Sequence, residues 1–390
     1  MPKILHILNG LKKNSSRFIN RIAVGSLFFL AGLCFSSWAS RIPSIRQKLN
    51  LSDAELGIVL FALPVGLLIS LPLSGWLINK SGSKKVIITS ILLYSVILVA
   101  IGFAGTTFQL IACLFIFGLL GNMVNISVNT QAVGVEALYQ RSIMASFHGL
   151  WSMAGFTGAA IGTFMIGKNI IPSYHFLLVT SLVFVIVLIN FRHTLAKDFN
   201  TKKNQPLIFK PEKSLINLGL IAFCSMLCEG AMFDWSGIYF EKVVKADKAL
   251  IGAGYTAFML TMATGRFFAD WFTNRIGLKH TLQVSGALTA SGLLIAVMLP
   301  HLVTAIVGFL LVGFGVSSVI PLVYSVAGKS KVLSAGTALA AVSTIGFLGF
   351  LLGPPMIGLV AGATSLRVSF FIIAVMSSCI TIIATNRKFD

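Results

Sequence analysis

The sequence predicts an all-helical integral membrane protein with twelve transmembrane helices in two six-helix, pseudo-symmetric bundles. Charged residues make up only 11% of the 390 residues and hydrophobic residues 56%, whereas soluble domains are about 25% charged. Apolar runs of helical length recur along the whole chain. One long polar segment, residues 192–213, lies at the middle and separates six runs from six.

Each apolar run is close to the ~20 residues that a helix needs to cross the hydrocarbon core. Strands of a membrane barrel would alternate over about ten residues, and that alternation is absent. The first run is too long for the apolar part of a signal peptide, and eleven more follow it. The predicted spans are about 20–40, 53–78, 86–104, 107–134, 143–166, 172–191, 214–239, 250–273, 280–299, 302–328, 333–359 and 366–385.

The distribution of Lys and Arg predicts the orientation. With the N-terminus inside, the cytoplasmic segments hold 21 of these residues and the outer segments hold 8. Because Lys and Arg are enriched in cytoplasmic loops, we expect both termini to be cytoplasmic, in the inner (plasma) membrane of a bacterium. The predicted units are an N-terminal bundle, residues 1–191, a cytoplasmic linker, 192–213, and a C-terminal bundle, 214–390.

The charge distribution, the positions of the cysteines and the absence of enzyme motifs exclude several classes of function. The net charge of +19 is scattered over short loops, so we expect no nucleic-acid partner. The five Cys lie within apolar runs, away from any His at a metal-ligand spacing, so we expect neither a metal site nor a cofactor. The sequence has no P-loop, hydrolase motif or segment long enough for an ATPase domain. We therefore expect a monomer in the lipid bilayer that is not an enzyme and uses a solute or ion gradient.

The two halves are related as a repeat. A shift of 195 residues places Trp76, Lys80 and Gly82 on Trp271, Arg275 and Gly277, and a shift of 191 residues places four glycines of the fifth span on four of the eleventh. Two halves of parallel topology imply a pseudo-twofold axis along the membrane normal. That is a transporter architecture, with a polar site near the midplane where the halves meet.

Two sets of motifs carry a family resemblance. Residues 75–85 (GWLINKSGSKK) resemble the signature loop between helices 2 and 3 of the major facilitator superfamily, Gly-x-x-x-Asp-Arg/Lys-x-Gly-Arg-Lys/Arg, with Asn79 for the usual Asp and Ser83 for the usual Arg. Residues 38–43 (WASRIP), 125–136 (NISVNTQAVGVE) and 148–152 (HGLWS) resemble the MosC-like subgroup, which is related to fucose permease. The resemblance implies the major facilitator fold and solute transport by alternating access, with helices 1, 4, 7 and 10 around the cavity.

The signature loop is predicted to act as a gate. In the resembling family this loop holds the cytoplasmic gate closed, which assigns Asn79, Lys80 and Gly82 to gating. Gly82 permits a tight turn between antiparallel helices. Because Asn79 is neutral, a latch at this position would rest on hydrogen bonds. The alternative is a basic turn that faces anionic lipid.

Glu229 is the predicted proton-coupling residue. It lies about 15 residues from the start of the seventh span, which places it roughly 22 Å deep at 1.5 Å per residue. Ionisable groups inside spans are costly and mark functional sites. A carboxyl at this depth can exchange a proton or contact the solute. The alternative is a permanently protonated acid that hydrogen-bonds between helices.

Four further charges are gating candidates. Arg41 and Asp234 lie near the outer ends of the first and seventh spans and carry opposite charges. We expect them to form an outer latch when the cavity opens inward; the alternative is two separate interfacial charges. Arg266 and Asp270 are spaced i, i+4 on the eighth span, which allows a local ion pair. This pair would belong to a gate or would anchor the helix end.

Polar side chains of the fourth and fifth spans are predicted to bind the solute. Asn122, Asn125 and Asn129 share one helix face. His148 lies at a depth that matches Asn129, and Trp151 is adjacent to the face of the fifth span that carries His148. Amides and an indole suit a hydroxyl-rich solute, and His148 is the second candidate for proton coupling. The alternative is hydrogen bonding between helices, worth below ~1 kcal/mol in membranes. Other predicted solute contacts are Trp38, Tyr255 and Tyr324.

The function that the sequence predicts is secondary transport of a small polar solute, such as a sugar or polyol derivative, with protons as the candidate coupling ion. The first rival is an exporter of amphipathic or drug-like compounds. The second is a membrane receptor or channel, against which the internal repeat counts.

Overall fold

The computed structural model describes residues 2–139, 143–196, 213–327 and 335–386; side chains are described there except at 2–15, 79, 144, 145, 213, 214, 270, 325 and 335–340. This part of the chain is helical and contains no strand. Its α-helices are α1 Pro2–Leu49, α2 Asp53–Ser81, α3 Ser83–Phe103, α4 Thr107–Tyr139, α5 Met144–Gly167, α6 Pro172–Asn190, α7 Lys213–Tyr239, α8 Ala253–Ile276, α9 Leu278–Met298, α10 Leu302–Ser317, α11 Val319–Ala327, α12 Ala335–Ala363 and α13 Leu366–Thr385.

Within the described residues, eleven segments are long and apolar enough to cross a membrane. They correspond to the predicted spans except the eighth. The helix at that position, α8, has 24 residues but contains Arg266, Asp270 and Arg275, which lower its hydropathy. The all-helical membrane class is therefore confirmed, whereas the twelve-span, two-bundle arrangement stays a prediction. The predicted linker lies mostly in residues 197–212, outside the described part.

The first helix is longer than predicted. The sequence places the end of the first span at about residue 40, but α1 continues to Leu49. The added turns include Pro43, which disfavours a helix, but they end in Arg46, Gln47, Lys48 and Leu49, which are good helix formers. Asn50 ends the helix with a left-handed backbone, φ 52°, a conformation that Asn tolerates better than most residues. Arg41 and Arg46 are therefore helical rather than part of an outer loop.

Two other predicted spans end differently. The predicted tenth span, 302–328, divides at Ser318 into α10 and α11. The seventh continues beyond Tyr239 as a π-helical turn, Phe240–Val244, which Lys245 closes with φ 55°. Glu241 and Lys242 lie on this π-helical turn and face the first half of the chain.

Helix packing follows the internal repeat. In the first half, α1 packs on α5 and α2 on α4; in the second half, α7 packs on α12 and α8 on α10. The principal contacts between the halves are α2 with α12, α5 with α8 and α1 with α7. Gly82 and Gly277, which the repeat aligns, have nearly the same backbone geometry, with φ 80° and 81°. The positive φ at Gly82 is the backbone conformation that a glycine allows in the predicted tight turn.

The halves touch along α5 and α8, where a Cβ on Gly149 would lie 2.8 Å from the Phe267 ring. They also touch closely at one end, which we call the outer seam. It consists of residues 53–57 against 354–362 and residues 163–167 against 249–256. A Cβ on Gly57 would lie 2.7 Å from the carbonyl oxygen of Pro354 and 2.9 Å from Cα of Gly358. Across the second contact, the hydroxyls of Thr163 and Thr256 are 3.1 Å apart. The Lys and Arg distribution predicts that this end faces outward.

Candidate functional site

Charged and polar side chains of both halves meet between α5, α7 and α8. Nη1 of Arg266 donates to Oγ of Ser152 at 2.7 Å, and Nη2 lies 4.0 Å from Oε2 of Glu229. The guanidinium carbon of Arg266 lies 6.0 Å from the ring centroid of Trp151. We call Arg266, Glu229, Ser152, Trp151 and the neighbouring His148 the central cluster.

Helical spacing on α5 places three of these groups together. His148 and Ser152 are one turn apart, and the Ser152 hydroxyl donates to the His148 carbonyl oxygen at 3.1 Å. The same hydroxyl oxygen accepts from Arg266. One turn further, Gly155 leaves room for the end of Met259 of α8. The absence of a side chain at Gly155 thus helps α8 bring Arg266 against α5.

The cluster is accessible on one side and buried on the other. His148 is exposed, packs edge-on to Phe28 of α1 at 5.4 Å, and is close enough to Arg266 to interact electrostatically. The Arg266 side chain is 22% exposed and the Glu229 side chain 7%. Glu229 is therefore placed at the junction of the halves, behind Arg266, and does not point into lipid.

Aromatic side chains lie beside this cluster. Phe233 of α7 packs edge-on to Phe35 of α1 at 5.3 Å and to Tyr255 of α8 at 6.2 Å. The Tyr255 hydroxyl donates to Oγ of Ser36 at 3.3 Å, which is another hydrogen bond between the halves. The rings of Phe258 and Phe350 also pack against Phe233. The structure thus brings Tyr255 into the region between the halves.

Arg41 and Asp234 do not form the predicted latch. Arg41 is 1% exposed, donates to the carbonyl oxygen of Ile170 and lies near His175 of α6. Ser36, which contacts the second half, is five residues earlier, so Arg41 is about 140° further round the helix. Arg41 consequently faces α6, and Asp234 makes no ion pair with it among the described residues.

Other charges join the halves at the outer seam. Nζ of Lys242 lies 2.7 and 2.8 Å from the two carboxylate oxygens of Asp53, and Arg46 lies 3.4 Å from Asp53 and 3.8 Å from Glu241. Gln47 Nε2 donates to Glu241 at 2.5 Å. We call these five residues the outer charge network. The sequence does not predict this network, because the Lys and Arg of the outer segments indicate only the orientation of the chain.

The amides of α4 are divided between two environments. Asn122 is buried and donates to Oγ of Ser70 at 3.0 Å and to the Leu67 carbonyl oxygen at 3.3 Å, so it joins α4 to α2. Asn129 donates to the Asn125 side chain at 3.0 Å, and Asn125 is exposed. The structure therefore uses Asn122 for helix packing in the first half and does not bring it to Glu229.

The remaining candidates are placed as follows. Tyr324 of α11 is half-buried and near enough to Glu229 to interact electrostatically, whereas Trp38 is 1% exposed in the helical core. Lys80 packs its ammonium over the Trp76 ring at 4.8 Å. The side chains of Asn79 and Asp270 lie outside the described part.

Arg266 has contacts that its spacing from Asp270 does not predict. Its guanidinium contacts Ser152 and Glu229 and belongs to the central cluster, because α8 turns that face toward α5 and α7; the predicted pair with Asp270 falls on a side chain outside the described part. Among the described residues, no group of three or more His, Cys, Asp or Glu could hold a metal ion. The side chains of the cluster provide hydrogen-bond donors and acceptors, an ion pair and a carboxyl that can exchange a proton.

Comparison with known proteins identifies the family. The model of the Major Facilitator Superfamily matches residues 24–245 and 218–386. The chain belongs to this superfamily and is a multi-pass integral membrane protein, a transporter and not an enzyme. It is 31% identical over 360 residues to an uncharacterized MFS-type transporter of Yersinia pestis, across 92% of this chain and 93% of that protein.

The group within the superfamily follows from a second relative. The chain is 31% identical over 374 residues to membrane protein MosC of Rhizobium meliloti, across 94% of this chain and 90% of MosC. It falls within the MosC-like group of the superfamily, as the sequence motifs predict.

Solved structures share the fold. The nucleoside transporter NupG superposes with a TM-score of 0.74 at 15% identity, across 95% of this chain and all of that chain. A bacterial homolog of the human lysosomal transporter Spinster, in an inward-facing and unoccupied conformation, gives a TM-score of 0.74 at 14% identity, across 95% of this chain and 96% of that chain.

Proposed function

We propose that this chain is a secondary transporter that moves a small polar solute, such as a sugar or polyol derivative, by alternating access. The central cluster carries the proposal, since it places Arg266, Glu229 and Ser152 where the two halves meet. In the proposed topology, twelve spans form bundles 1–191 and 214–390, joined by the cytoplasmic linker 192–213, in a bacterial inner membrane with both termini cytoplasmic. The proposed unit is a monomer.

The contacts between the halves support an inward-facing state. The outer seam and the outer charge network join the halves at one end. In the signature loop, Lys84 donates to the Thr194 carbonyl oxygen at 3.4 Å, which is a contact with the start of the linker and not with the second half. An inward-facing transporter is also among the proteins of similar fold. Gating then proceeds by separation of the outer seam, with Lys80 and Gly82 in the inner loop.

The charge of the central cluster favours a polar solute. The guanidinium of Arg266 and the carboxylate of Glu229 lie between the halves and can form hydrogen bonds or ion pairs with a polar solute. A solute that separates these two groups must itself supply hydrogen bonds or charge to both, because a buried charge without a partner is costly. The alternative is an exporter of amphipathic compounds, which the rings around Phe233 favour. Those rings also suit the apolar face of a sugar, so the alternative needs a direct test.

The test is uptake by proteoliposomes that contain the purified chain. We expect a polar solute from a radiolabelled metabolite panel to enter, faster with an acidic exterior and more slowly with a protonophore. Empty liposomes provide the control. Transport of amphipathic dyes and of no polar solute would support the exporter instead, and channel-like flux without saturation would overturn both.

We propose that Glu229 couples transport to protons, with His148 as the second candidate. Glu229→Gln mimics the protonated acid and keeps its hydrogen-bonding shape. Accumulation driven by a pH gradient should be lost while solute exchange persists. The matched control is Glu55→Gln, an exposed carboxyl in the capping box of α2, where Gln also caps. Unchanged pH-driven accumulation in Glu229→Gln would move the coupling to His148.

A further inference from the structure

We propose that the solute carries an oxyanionic group, such as a carboxylate or sulfonate, which docks on Arg266 in place of Glu229 and leaves Glu229 to bind a proton. The inference rests on the proposed function, because it names the solute class for the same site. It goes beyond the hydroxyl-rich solute that the sequence predicts.

The guanidinium of Arg266 is only partly used. Nη1 bonds Ser152, whereas Nη2 is 4.0 Å from Glu229, beyond hydrogen-bond distance. Nε of Arg266 has no partner among the described residues. Nε and Nη2 are adjacent on the guanidinium plane and form the fork that binds an oxyanion through two parallel hydrogen bonds. The ring of Trp151 lies beside the fork.

Glu229 is a weakly held counter-ion. Oε1 is buried without a partner in the described part of the chain, and Oε2 has only the 4.0 Å contact with Arg266. A buried carboxylate needs hydrogen bonds or close pairing to remain charged. If a solute anion takes the fork of Arg266, Glu229 loses this counter-charge and the neutral acid becomes favoured.

The exchange balances in charge. One solute oxyanion enters with one negative charge, and one proton from water adds to a carboxylate oxygen of Glu229, so the charge of the site does not change. No covalent bond other than this O–H forms or breaks. Release of the solute restores the contact of Arg266 with Glu229 and returns the proton. One proton therefore moves with each singly charged oxyanion.

Other titratable groups near Glu229 could bind the proton in its place. The titratable or charged groups that face it or Arg266 are Arg266 of α8, His148 of α5 and Tyr324 of α11, with Cys228 adjacent on α7. Of these, His148 is the exposed group that can also take up a proton. A test of the exchange must therefore separate Glu229 from His148.

The first experiment measures binding to the detergent-purified full chain. The probes are C2–C6 carboxylates and sulfonates, each paired with its neutral alcohol or sugar, and the readout is thermal stabilisation over a concentration series. We expect a charged member to bind and its neutral partner not to. Arg266→Gln should weaken that binding at least tenfold, or about 1.4 kcal/mol, and Arg266→Lys by less.

The matched control is Arg275→Gln, an exposed Arg of the same helix that stacks on Trp271. Its affinity for the oxyanion should equal that of the unsubstituted chain. The inference is overturned if no oxyanion binds, if the neutral partner binds equally well, or if Arg266→Lys and Arg266→Gln bind as the control does. Uptake of a neutral solute in proteoliposomes would leave the proposed function standing in each of these cases.

The second experiment counts protons. A pH dye in weakly buffered solution should report uptake of about one proton per bound oxyanion, in the range where Glu229 is charged. Glu229→Gln should abolish this uptake while binding is kept or becomes tighter, because the competing carboxylate is removed. His148→Gln should retain the uptake. Undiminished proton uptake in Glu229→Gln would refute the exchange even where Arg266 binds the anion.

Discussion

The outer charge network is expected to set the balance between inward-facing and outward-facing states. Asp53 of α2 contacts Lys242 at 2.7 Å and Arg46 at 3.4 Å. Lys242 belongs to the second half of the chain, so the ion pair with Asp53 must break when the outer seam separates. Asp53→Asn removes the charge and keeps the shape. It should therefore destabilise the inward-facing state and leave the outward-facing state nearly unchanged.

The magnitude follows from the exposure of the partners. The side chains of Asp53 and Arg46 are 12% and 13% exposed, whereas that of Lys242 is 36% exposed. Exposed pairs contribute roughly 0.2–1 kcal/mol, and the pair with Lys242, with contacts of 2.7 and 2.8 Å, belongs at the upper end of this range. The pair with Arg46 lies within the first half and does not contribute to the difference between the states. We expect a loss of about 1 kcal/mol, which changes the ratio of the two states about fivefold toward outward-facing. High salt should shift the unsubstituted chain in the same direction.

The shift can be measured by double electron–electron resonance. Spin labels at Tyr174 and His301 are suitable, since both residues are exposed at the outer end and lie in opposite halves. The five free cysteines are first replaced. Asp53→Asn and Lys242→Gln should each increase the population with the longer distance. The double variant should add less than the sum of the single changes, because both remove the same pair.

Asp247→Asn provides the matched control. Asp247 is exposed and lies, like Lys242, in the connection between α7 and α8, and its side chain makes no hydrogen bond that caps the following helical turn. The reasoning is refuted if Asp53→Asn gives the same distance distribution as Asp247→Asn, or if the effects of Asp53→Asn and Lys242→Gln are fully additive.

Three further substitutions have expected outcomes. Gly57→Val should hold the outer seam apart, because a Cβ would lie 2.9 Å from Cα of Gly358; the same distance measurement should report a mainly outward-facing population. Gly277→Ala should lower thermal stability by roughly 1–2 kcal/mol, because φ is 81°, whereas Gly75→Ala, where a Cβ contacts nothing within 4 Å, should not lower it. Asn122→Leu should cost roughly 1 kcal/mol of stability with unchanged solute affinity, and a large affinity loss would return Asn122 to the binding site.

The helical class and the family could be predicted from the sequence because their causes are local. A run of about 20 apolar residues specifies a membrane-crossing helix wherever it packs, and a glycine with positive φ is needed in the tight turns at Gly82 and Gly277. The end of α1 was not predicted. Charged residues after position 40 indicate an interface, but they do not end a helix, and Asn50 does.

The central cluster could be predicted only in part. Glu229 and His148 are identified by their rarity within apolar runs, and the structure places both beside Arg266. The i, i+4 spacing of Arg266 and Asp270 predicts a local pair, but a side chain on a helix also has partners on the neighbouring helices. Rotation of α8 about its axis brings Arg266 to Ser152, and that rotation depends on close contacts such as that of Gly155 with Met259.

The same rotation explains why opposite charges at similar depth need not pair. Arg41 and Asp234 satisfy every sequence criterion for a latch, yet Arg41 turns away from the second half by about 140° relative to Ser36. Arg266 differs because its face of α8 contacts α5, in the other half. Its bond to Ser152 joins the halves, while Nε has no partner among the described residues. A solute that changes the contacts of Arg266 therefore also changes a contact between the halves, and by linkage the conformational equilibrium must change the affinity for that solute.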